Sequence, residues 1–329
     1  MPVTEILATN LLSPVVLAFA LGALATVLRS DLEFPEPLYQ SLSIYLLLAI
    51  GLKGGTALAK TPLAEFAWPA VATLVLGLLT PVIAFFWLTT IARMDRINAG
   101  ALAAHYGSVS AVTFLAAQSF GDATGVPAEG FMPALVAVLE VPAIVVGLLL
   151  AGQGMRDGDG GNDDSGGSWR AALHEVLTGR SVVLLVGGLA LGWAAGPERM
   201  KPVEPFFVAG FQGALTLFLL EMGLVAARRL RDLREAGVRL VVFGTAVPVL
   251  HGLLGTWVGG VAGLSVGGSA VLGTMVASAS YIAAPAAVRI ALPEARPTFY
   301  LTGALGITFP FNLVMGIPLY FWFARLFAA

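Results

Sequence analysis

Long apolar runs separated by short polar stretches dominate this chain of 329 residues. A helix that crosses the hydrocarbon core of a bilayer needs about 20 mostly apolar residues, and most of the runs approach that length. We predict ten membrane spans, at residues 11–28, 38–59, 66–91, 97–120, 131–151, 181–195, 206–227, 240–261, 267–292 and 300–323. The pattern therefore indicates an all-α integral membrane protein with about ten transmembrane helices.

A polar segment separates the fifth span from the sixth. Residues 152–168 read GQGMRDGDGGNDDSGGS, a composition typical of flexible linkers. We predict a first five-helix repeat at 1–151, an acidic linker at 152–170 and a second five-helix repeat at 171–329. Because each half has an odd number of spans, the two halves are expected to be inverted relative to each other in the membrane.

Composition supports the membrane assignment. Hydrophobic residues make up 57% of the chain and charged residues 12%, whereas soluble domains have about 25% charged residues. The chain has no cysteine, which excludes disulfides, zinc–thiolate sites and thiol nucleophiles. The first residues lack the basic region of a cleavable signal peptide, so we expect the first apolar run to be a retained span.

The distribution of basic residues predicts an orientation, since Lys and Arg gather in cytoplasmic loops. Most of the 18 Lys and Arg residues follow odd-numbered spans. We therefore expect a multi-pass protein of the plasma (inner) membrane with both termini outside and the acidic linker in the cytoplasm.

Three segments of the first half match segments of the second half in the same order. LLAIGLKGG at 47–55 aligns with LLEMGLVAA at 219–227, and GSVSAVT at 107–113 aligns with ASASYIAA at 277–284. VLEVPAIVVG at 138–147 aligns with ITFPFNLVMG at 307–316, each with a proline in mid-span. Their collinearity supports an internal repeat.

The middle pair of matched segments predicts broken fourth and ninth helices. Ser108 and Ser110 recur at the same spacing as Ser278 and Ser280. Irregular backbone at membrane depth is tolerated only where it is buried in protein or lines a cavity. Interrupted helices at corresponding positions of two halves are typical of transporter substrate sites.

The chemistry of such breaks suits a small anion. A helix that restarts at a break directs free N–H groups and a positive partial charge into the cavity, and serine hydroxyls add further donors. Gly107 and the Ala-Ala-Pro run at 283–285 are expected to let the helices open. The predicted anion-binding residues are Gly107, Ser108, Ser110, Thr113, Ser278 and Ser280. The alternative is that these small residues only allow close helix packing.

Three other polar residues are candidates for the coupling cation. Glu140 lies within the fifth span, and an intramembrane acid can hold a cation, carry a proton or pair with a buried donor. Thr308 and Asn312 flank Pro310 in the tenth span and offer oxygen atoms of the kind that hard cations prefer.

Several motifs occur here in the order of a known family: IGLKGGTAL, GSVSAVT, an acid before Pro142, LHEVLTGRS, MGL, PVLHG and ASASYIAAP. The chain resembles the sodium-dependent bicarbonate transporters of the SbtA type over most of its length. The resemblance implies an inverted five-plus-five fold, a mobile core with crossed broken helices beside a gate domain, and homotrimeric assembly. It also implies bicarbonate import driven by Na⁺, the serines of both breaks beside the anion, and an acid where Glu140 stands.

The chain departs from that family pattern in two places. Tyr281 stands where the family has an acidic residue, and Ala284, Pro285 and Ala286 replace a Gly-Pro-Pro run. A carboxylate is the ligand that a hard cation prefers, so its loss leaves proton coupling open as an alternative. The linker is also short for the family, which weakens the expectation of a PII-like soluble regulator.

The sequence thus predicts a secondary transporter that imports bicarbonate with Na⁺ by alternating access, and no enzyme. One alternative is a transporter of another small or organic anion with proton coupling; a Lys or Arg in either motif would favour an organic anion, and neither motif has one. Another alternative is an intramembrane hydrolase, which would need a nucleophile and base such as Ser108 and His251.

Overall fold

The computed structural model describes residues 8–156 and 165–328. Over these residues the secondary structure is helical, without a strand. Eight helical segments of these residues are long and apolar enough to cross a membrane, and two further apolar helices are shorter; two of the eight, Arg96–Ala123 and Met132–Gly152, each contain two of the helices named below. The predicted class, an all-α integral membrane protein, is confirmed.

The helices of the first half are α1 (Pro14–Val27), α2 (Glu36–Leu58), α3 (Leu63–Thr90), α4 (Arg96–Gly107), α5 (Ala111–Ala123), α6 (Met132–Glu140) and α7 (Pro142–Arg156). Those of the second half are α8 (Ser165–Thr178), α9 (Arg180–Met200), α10 (Phe211–Arg229), α11 (Leu233–Val261), α12 (Val266–Ala277), α13 (Ala283–Ala291) and α14 (Pro297–Ala328). Two stretches of α14, Thr302–Thr308 and Asn312–Gly316, are π-helical.

Three of the predicted spans consist of two helices each. The fourth span is α4 with α5, and the ninth is α12 with α13, as the serine motifs predict. The fifth span, predicted as one run, is divided into α6 and α7 between Glu140 and Pro142. Pro142 has no backbone N–H to continue the helical hydrogen bonds, which explains the division.

The predicted linker is shorter than its composition indicates. Its first residues continue α7 to Arg156 and its last ones belong to α8, while residues 157–164 lie outside the described residues. Ala172 and Val176, four residues apart on one face of α8, are buried in a cluster with Ala284 and Ala287 of α13. The segment after the linker thus packs on the helix that follows the second break.

The remaining helices form two groups. The four-helix group consists of α1 packed on α10 and α2 packed on α9. The core group consists of α3, α4, α5, α7, α11, α12 and α14, which pack on one another around the two breaks. Helix α6 lies between the groups, because it contacts α2 and α9 as well as α3.

Glycines allow the close approach of the helices at both crossings of the four-helix group. A β-carbon on Gly51 of α2 would lie 2.6 Å from the Leu185 carbonyl oxygen and 2.8 Å from Gly188 Cα of α9. In the other crossing, a β-carbon on Gly22 of α1 or on Gly223 of α10 would overlap the backbone of the opposite helix. Small residues allow helix backbones this close approach in membranes. Each crossing joins one helix of the first half to one of the second.

Gly188→Leu is expected to lower the midpoint of thermal unfolding of the purified protein in detergent. A β-carbon at this position already lies 3.0 Å from Gly51 Cα, so a larger side chain must separate α2 from α9, and overpacking of this kind costs about 1–3 kcal/mol. The adjacent variant Gly187→Leu is the matched control, since no heavy atom lies within 4 Å of its β-carbon. Equal midpoints for the two variants would contradict the assigned crossing.

Candidate functional site

The first break separates α4 from α5. Ser108 follows Gly107 with extended backbone angles, φ −85° and ψ −179°. Ser110 is the N-cap of α5, where its Oγ accepts the Thr113 N–H at 3.2 Å. A β-carbon on Gly107 would lie 2.6 Å from the ring of Pro81 in α3. The first break is therefore capped by its own serine and requires glycine at its edge.

The second break separates α12 from α13. Ser278 is again extended, with φ −83° and ψ 170°, and Ser280 Oγ accepts the Ala284 N–H at 3.3 Å. The Ala-Ala-Pro run predicted to open this helix lies instead in the first turn of α13. Proline is tolerated there because the N–H groups of a first helical turn have no intrahelical partner.

The two breaks contact each other directly. The Ser110 N–H donates to Ser278 Oγ at 2.9 Å, and the Ser280 N–H donates to the His105 carbonyl oxygen of α4 at 2.8 Å. All four serines of the two motifs are buried. The structure thus brings together residues that are about 170 positions apart in the chain.

The hydroxyls of two of these serines donate to backbone carbonyls. Ser108 Oγ donates to the Glu140 carbonyl oxygen at 3.0 Å, and Ser278 Oγ donates to that of Met275 at 2.6 Å. In contrast, the N–H groups of Ala111 and Val112, in the first turn of α5, have no acceptor among the residues that the structure describes. The first break therefore has unused donors at the positive end of a helix.

Glu140 lies at the first break and also reaches the four-helix group. Its carbonyl oxygen accepts from Ser108, and its carboxyl group lies close to the buried Ser181 at the start of α9. Ser181 was not among the site residues predicted from the sequence, although it closes the motif LHEVLTGRS. Glu140 thus connects the break to a helix outside the core group.

The other two cation candidates lie elsewhere. Asn312 is at the second break, where its Nδ2 donates to the Ala277 carbonyl oxygen at 2.9 Å and its Oδ1 accepts from Tyr320 at 2.9 Å. Thr308 donates to the Gly244 carbonyl oxygen at 2.7 Å and pairs with the Tyr106 hydroxyl at 2.7 Å. The three candidates share no hydrogen-bond partner within the described ranges.

Tyr281 lies in the second break, where the resemblance implies an acidic residue. It is buried, and its ring meets that of Phe309 edge to face with 5.7 Å between centroids. The described residues include no group of three or more His, Asp or Glu side chains that could hold a metal ion. A cation here would depend on hydroxyl, amide and carbonyl oxygens with at most one carboxylate.

The geometry of Ser108 does not suit a hydrolase. Its hydroxyl donates to a backbone carbonyl, that of Glu140, and not to an imidazole. A serine nucleophile requires a base within hydrogen-bond reach to take its proton.

The sequence profile of the Na⁺-dependent bicarbonate transporter superfamily matches residues 14–325, which include both breaks. The chain belongs to this superfamily. The resemblance predicted from its motifs is confirmed. A comparison with curated proteins gives no match. As a member of the Na⁺-dependent bicarbonate transporter superfamily, the protein is a multi-pass transporter and not an enzyme. The name of the superfamily gives Na⁺ as the coupling ion.

Proposed function

We propose that this protein imports bicarbonate together with Na⁺ across the plasma membrane by alternating access, with the anion held between the two breaks. The observation that carries the proposal is the hydrogen bond from the Ser110 N–H to Ser278 Oγ, 2.9 Å long, which joins the two interrupted helices at buried positions. A site made of both breaks gives a solute contacts with both halves of the chain.

The donors at this contact suit bicarbonate. The N–H groups of Ala111 and Val112, which have no acceptor in the described part of the chain, and the positive end of α5 favour a negative charge. Rotation of the Ser108 and Ser278 hydroxyls would transfer their protons from backbone carbonyls to a bound anion. The proposed anion-binding set remains Gly107, Ser108, Ser110, Thr113, Ser278 and Ser280.

Matched contacts support an inverted repeat with halves 1–151 and 171–329. The loop before α6 binds the loop before α12, where Glu129 Oε1 accepts the Ser265 N–H at 2.6 Å. The start of α4 binds the start of α14, where Asn98 Oδ1 accepts the Arg296 N–H at 2.8 Å. Each contact joins one half to the other beside a broken helix. The crossings of α1 with α10 and of α2 with α9 likewise join a helix of one half to a helix of the other.

Alternating access would move the core group, which holds both breaks, against the four-helix group. The Glu140 carboxyl group lies close to Ser181 of the four-helix group, so the proposed movement changes its surroundings. A ligand shifts such an equilibrium only by binding one state more tightly, and Na⁺ would therefore favour the loaded, occluded state. Glu140, Asn312 and Thr308 remain the proposed cation candidates.

The proposed membrane orientation rests on the distribution of basic residues, and the proposed assembly rests on the resemblance to the superfamily. Both termini would face the outside, the segment between α7 and α8 the cytoplasm, and three chains would form a homotrimer. Regulation by a PII-like partner would act on the cytoplasmic face.

Uptake of labelled bicarbonate by proteoliposomes tests the function. We expect an inward Na⁺ gradient to accelerate uptake at least tenfold over an equal K⁺ gradient, and an inward proton gradient without Na⁺ to give no acceleration. Excess unlabelled bicarbonate should compete, whereas carboxylates such as acetate and succinate should not. Acceleration by protons alone, or transport of the carboxylates instead, would replace the proposal with the proton-coupled alternative.

A further inference from the structure

A second site lies at the end of the core group where α3 ends and α4 begins. A cavity of about 340 Å³ opens there between the α3–α4 connection, α11 and the first turn of α14, and thus between both halves of the chain. Its polar lining residues are Arg93, Asp95, Asn98, Glu235, Arg239 and Arg296. Neither break contributes a lining residue.

The wall of the cavity is fixed by Asn98, a buried side chain that makes hydrogen bonds to both halves. Its N–H and Nδ2 donate to the two carboxylate oxygens of Asp95, at 2.9 and 2.8 Å, and its Oδ1 accepts the Arg296 N–H at 2.8 Å. The Asp95 carboxylate is therefore occupied as the N-cap of α4. Arg296 is held at the rim by its backbone, so its side chain is available.

The three arginines of the cavity form no ion pair within the described part of the chain. Arg239 donates one Nη1 hydrogen bond to the Ala92 carbonyl oxygen at 3.1 Å, and the Arg296 guanidinium lies 5.7 Å from the ring centre of Phe299. Most of their N–H donors consequently have no partner among the residues that the structure describes. Three positive charges face two acids, one of which, Asp95, is committed to the helix cap.

We propose that this cavity binds the phosphate group of a small phosphorylated ligand. The planar guanidinium presents paired N–H donors that match phosphate oxygens, and the negative charge of a phosphate is opposite in sign to the net positive charge of the lining. The volume is near the lower limit of about 300–1,000 Å³ for ligand pockets, so the occupant is a phosphate monoester with a small body. Leu88, Leu240 and Phe299 give that body an apolar wall.

Thermal unfolding of the purified protein in detergent tests the site with inorganic phosphate and glycerol 3-phosphate as probes, against chloride at equal ionic strength. We expect either probe to raise the unfolding midpoint of the wild type, and the double variant Arg239→Gln/Arg296→Gln to weaken its binding at least tenfold. Arg231→Gln is the control, since this exposed arginine belongs to the neighbouring connection but not to the lining. If the double variant does not fold, the single variant Arg93→Gln is measured in its place.

A second arm separates a soluble ligand from a lipid headgroup. The same variants are compared in nanodiscs of phosphatidylcholine alone and of phosphatidylcholine with phosphatidic acid. Arginine-dependent stabilisation by phosphatidic acid but not by the soluble probes assigns the site to a lipid headgroup. If neither probe nor phosphatidic acid stabilises the wild type, or if the lining variants and Arg231→Gln respond alike, the site is refuted.

Discussion

Bicarbonate uptake into proteoliposomes is expected to disappear when Ser108 and Ser278 are both replaced by alanine. The Ser278 hydroxyl accepts the Ser110 N–H and donates to the Met275 carbonyl, and the Ser108 hydroxyl donates to the Glu140 carbonyl, so the double variant loses three polar contacts at the two breaks. In the proposed site both hydroxyls also donate to the anion. A hydrogen bond to a charged group contributes about 1.5–3 kcal/mol, and the loss of two weakens anion binding by about two orders of magnitude or more.

Ser269→Ala is the matched control for this experiment. Ser269 is a buried serine of α12, the same helix that ends before Ser278. Within the described residues its hydroxyl makes one long hydrogen bond, 3.4 Å to the Leu264 carbonyl oxygen. It should therefore retain uptake, and the double variant should elute from size-exclusion chromatography as the wild type does. Wild-type uptake by a folded Ser108→Ala/Ser278→Ala protein would refute the site.

The positions of both membrane breaks were predictable from the sequence because their causes are local. Ser110 and Ser278 interrupt apolar runs with residues that cap helices or favour extended backbone, and the repeated spacing distinguishes them from packing serines. The contact between Ser110 and Ser278 was not predictable in detail. It depends on how α4, α5 and α12 cross, which no local pattern encodes.

Two local details of the helices were not predicted, for a common physical reason. Hydropathy averages over a window, so it gave the fifth span without its interruption between α6 and α7 and did not give the helix that begins at Ser165. Both features are set by single residues or by tertiary contact: a missing N–H at Pro142, and the burial of Ala172 and Val176 against α13.

The arginine cavity shows a different limit of sequence reasoning. Arg93, Arg239 and Arg296 lie far apart in the chain and were used only as signals of membrane orientation. Their convergence follows from the packing of α3, α11 and α14. Ser181 was missed for the same reason, since its relation to Glu140 exists only after α9 packs beside α6.

A disulfide between the two helix groups is expected to stop transport, and its reduction to restore it. Arg229 belongs to α10 of the four-helix group, and a β-carbon on Gly306 of α14 in the core group would lie 3.3 Å from its Cβ. Disulfides need a Cβ–Cβ separation of about 3.5–4.5 Å, which a small adjustment gives. The chain has no cysteine, so Arg229→Cys/Gly306→Cys would contain the only two thiols. If the two helix groups must move past each other, the oxidised protein should transport bicarbonate at less than about a tenth of the rate of the reduced protein.

The matched control places the same bond inside the core group. A β-carbon on Gly259 of α11 would lie 3.3 Å from the Cβ of Ser269 in α12, the same separation as in the test pair, and 2.9 Å from its Cα, so α11 and α12 must separate slightly in the reduced and the oxidised form alike. Because α11 and α12 move as one body in the proposed mechanism, oxidised Gly259→Cys/Ser269→Cys should transport at the rate of its reduced form. The single variant Arg229→Cys corrects for loss of the Arg229–Asp232 ion pair. Full uptake by the oxidised test pair would exclude movement between these groups, and inhibition of both pairs would place the moving boundary within the core group instead.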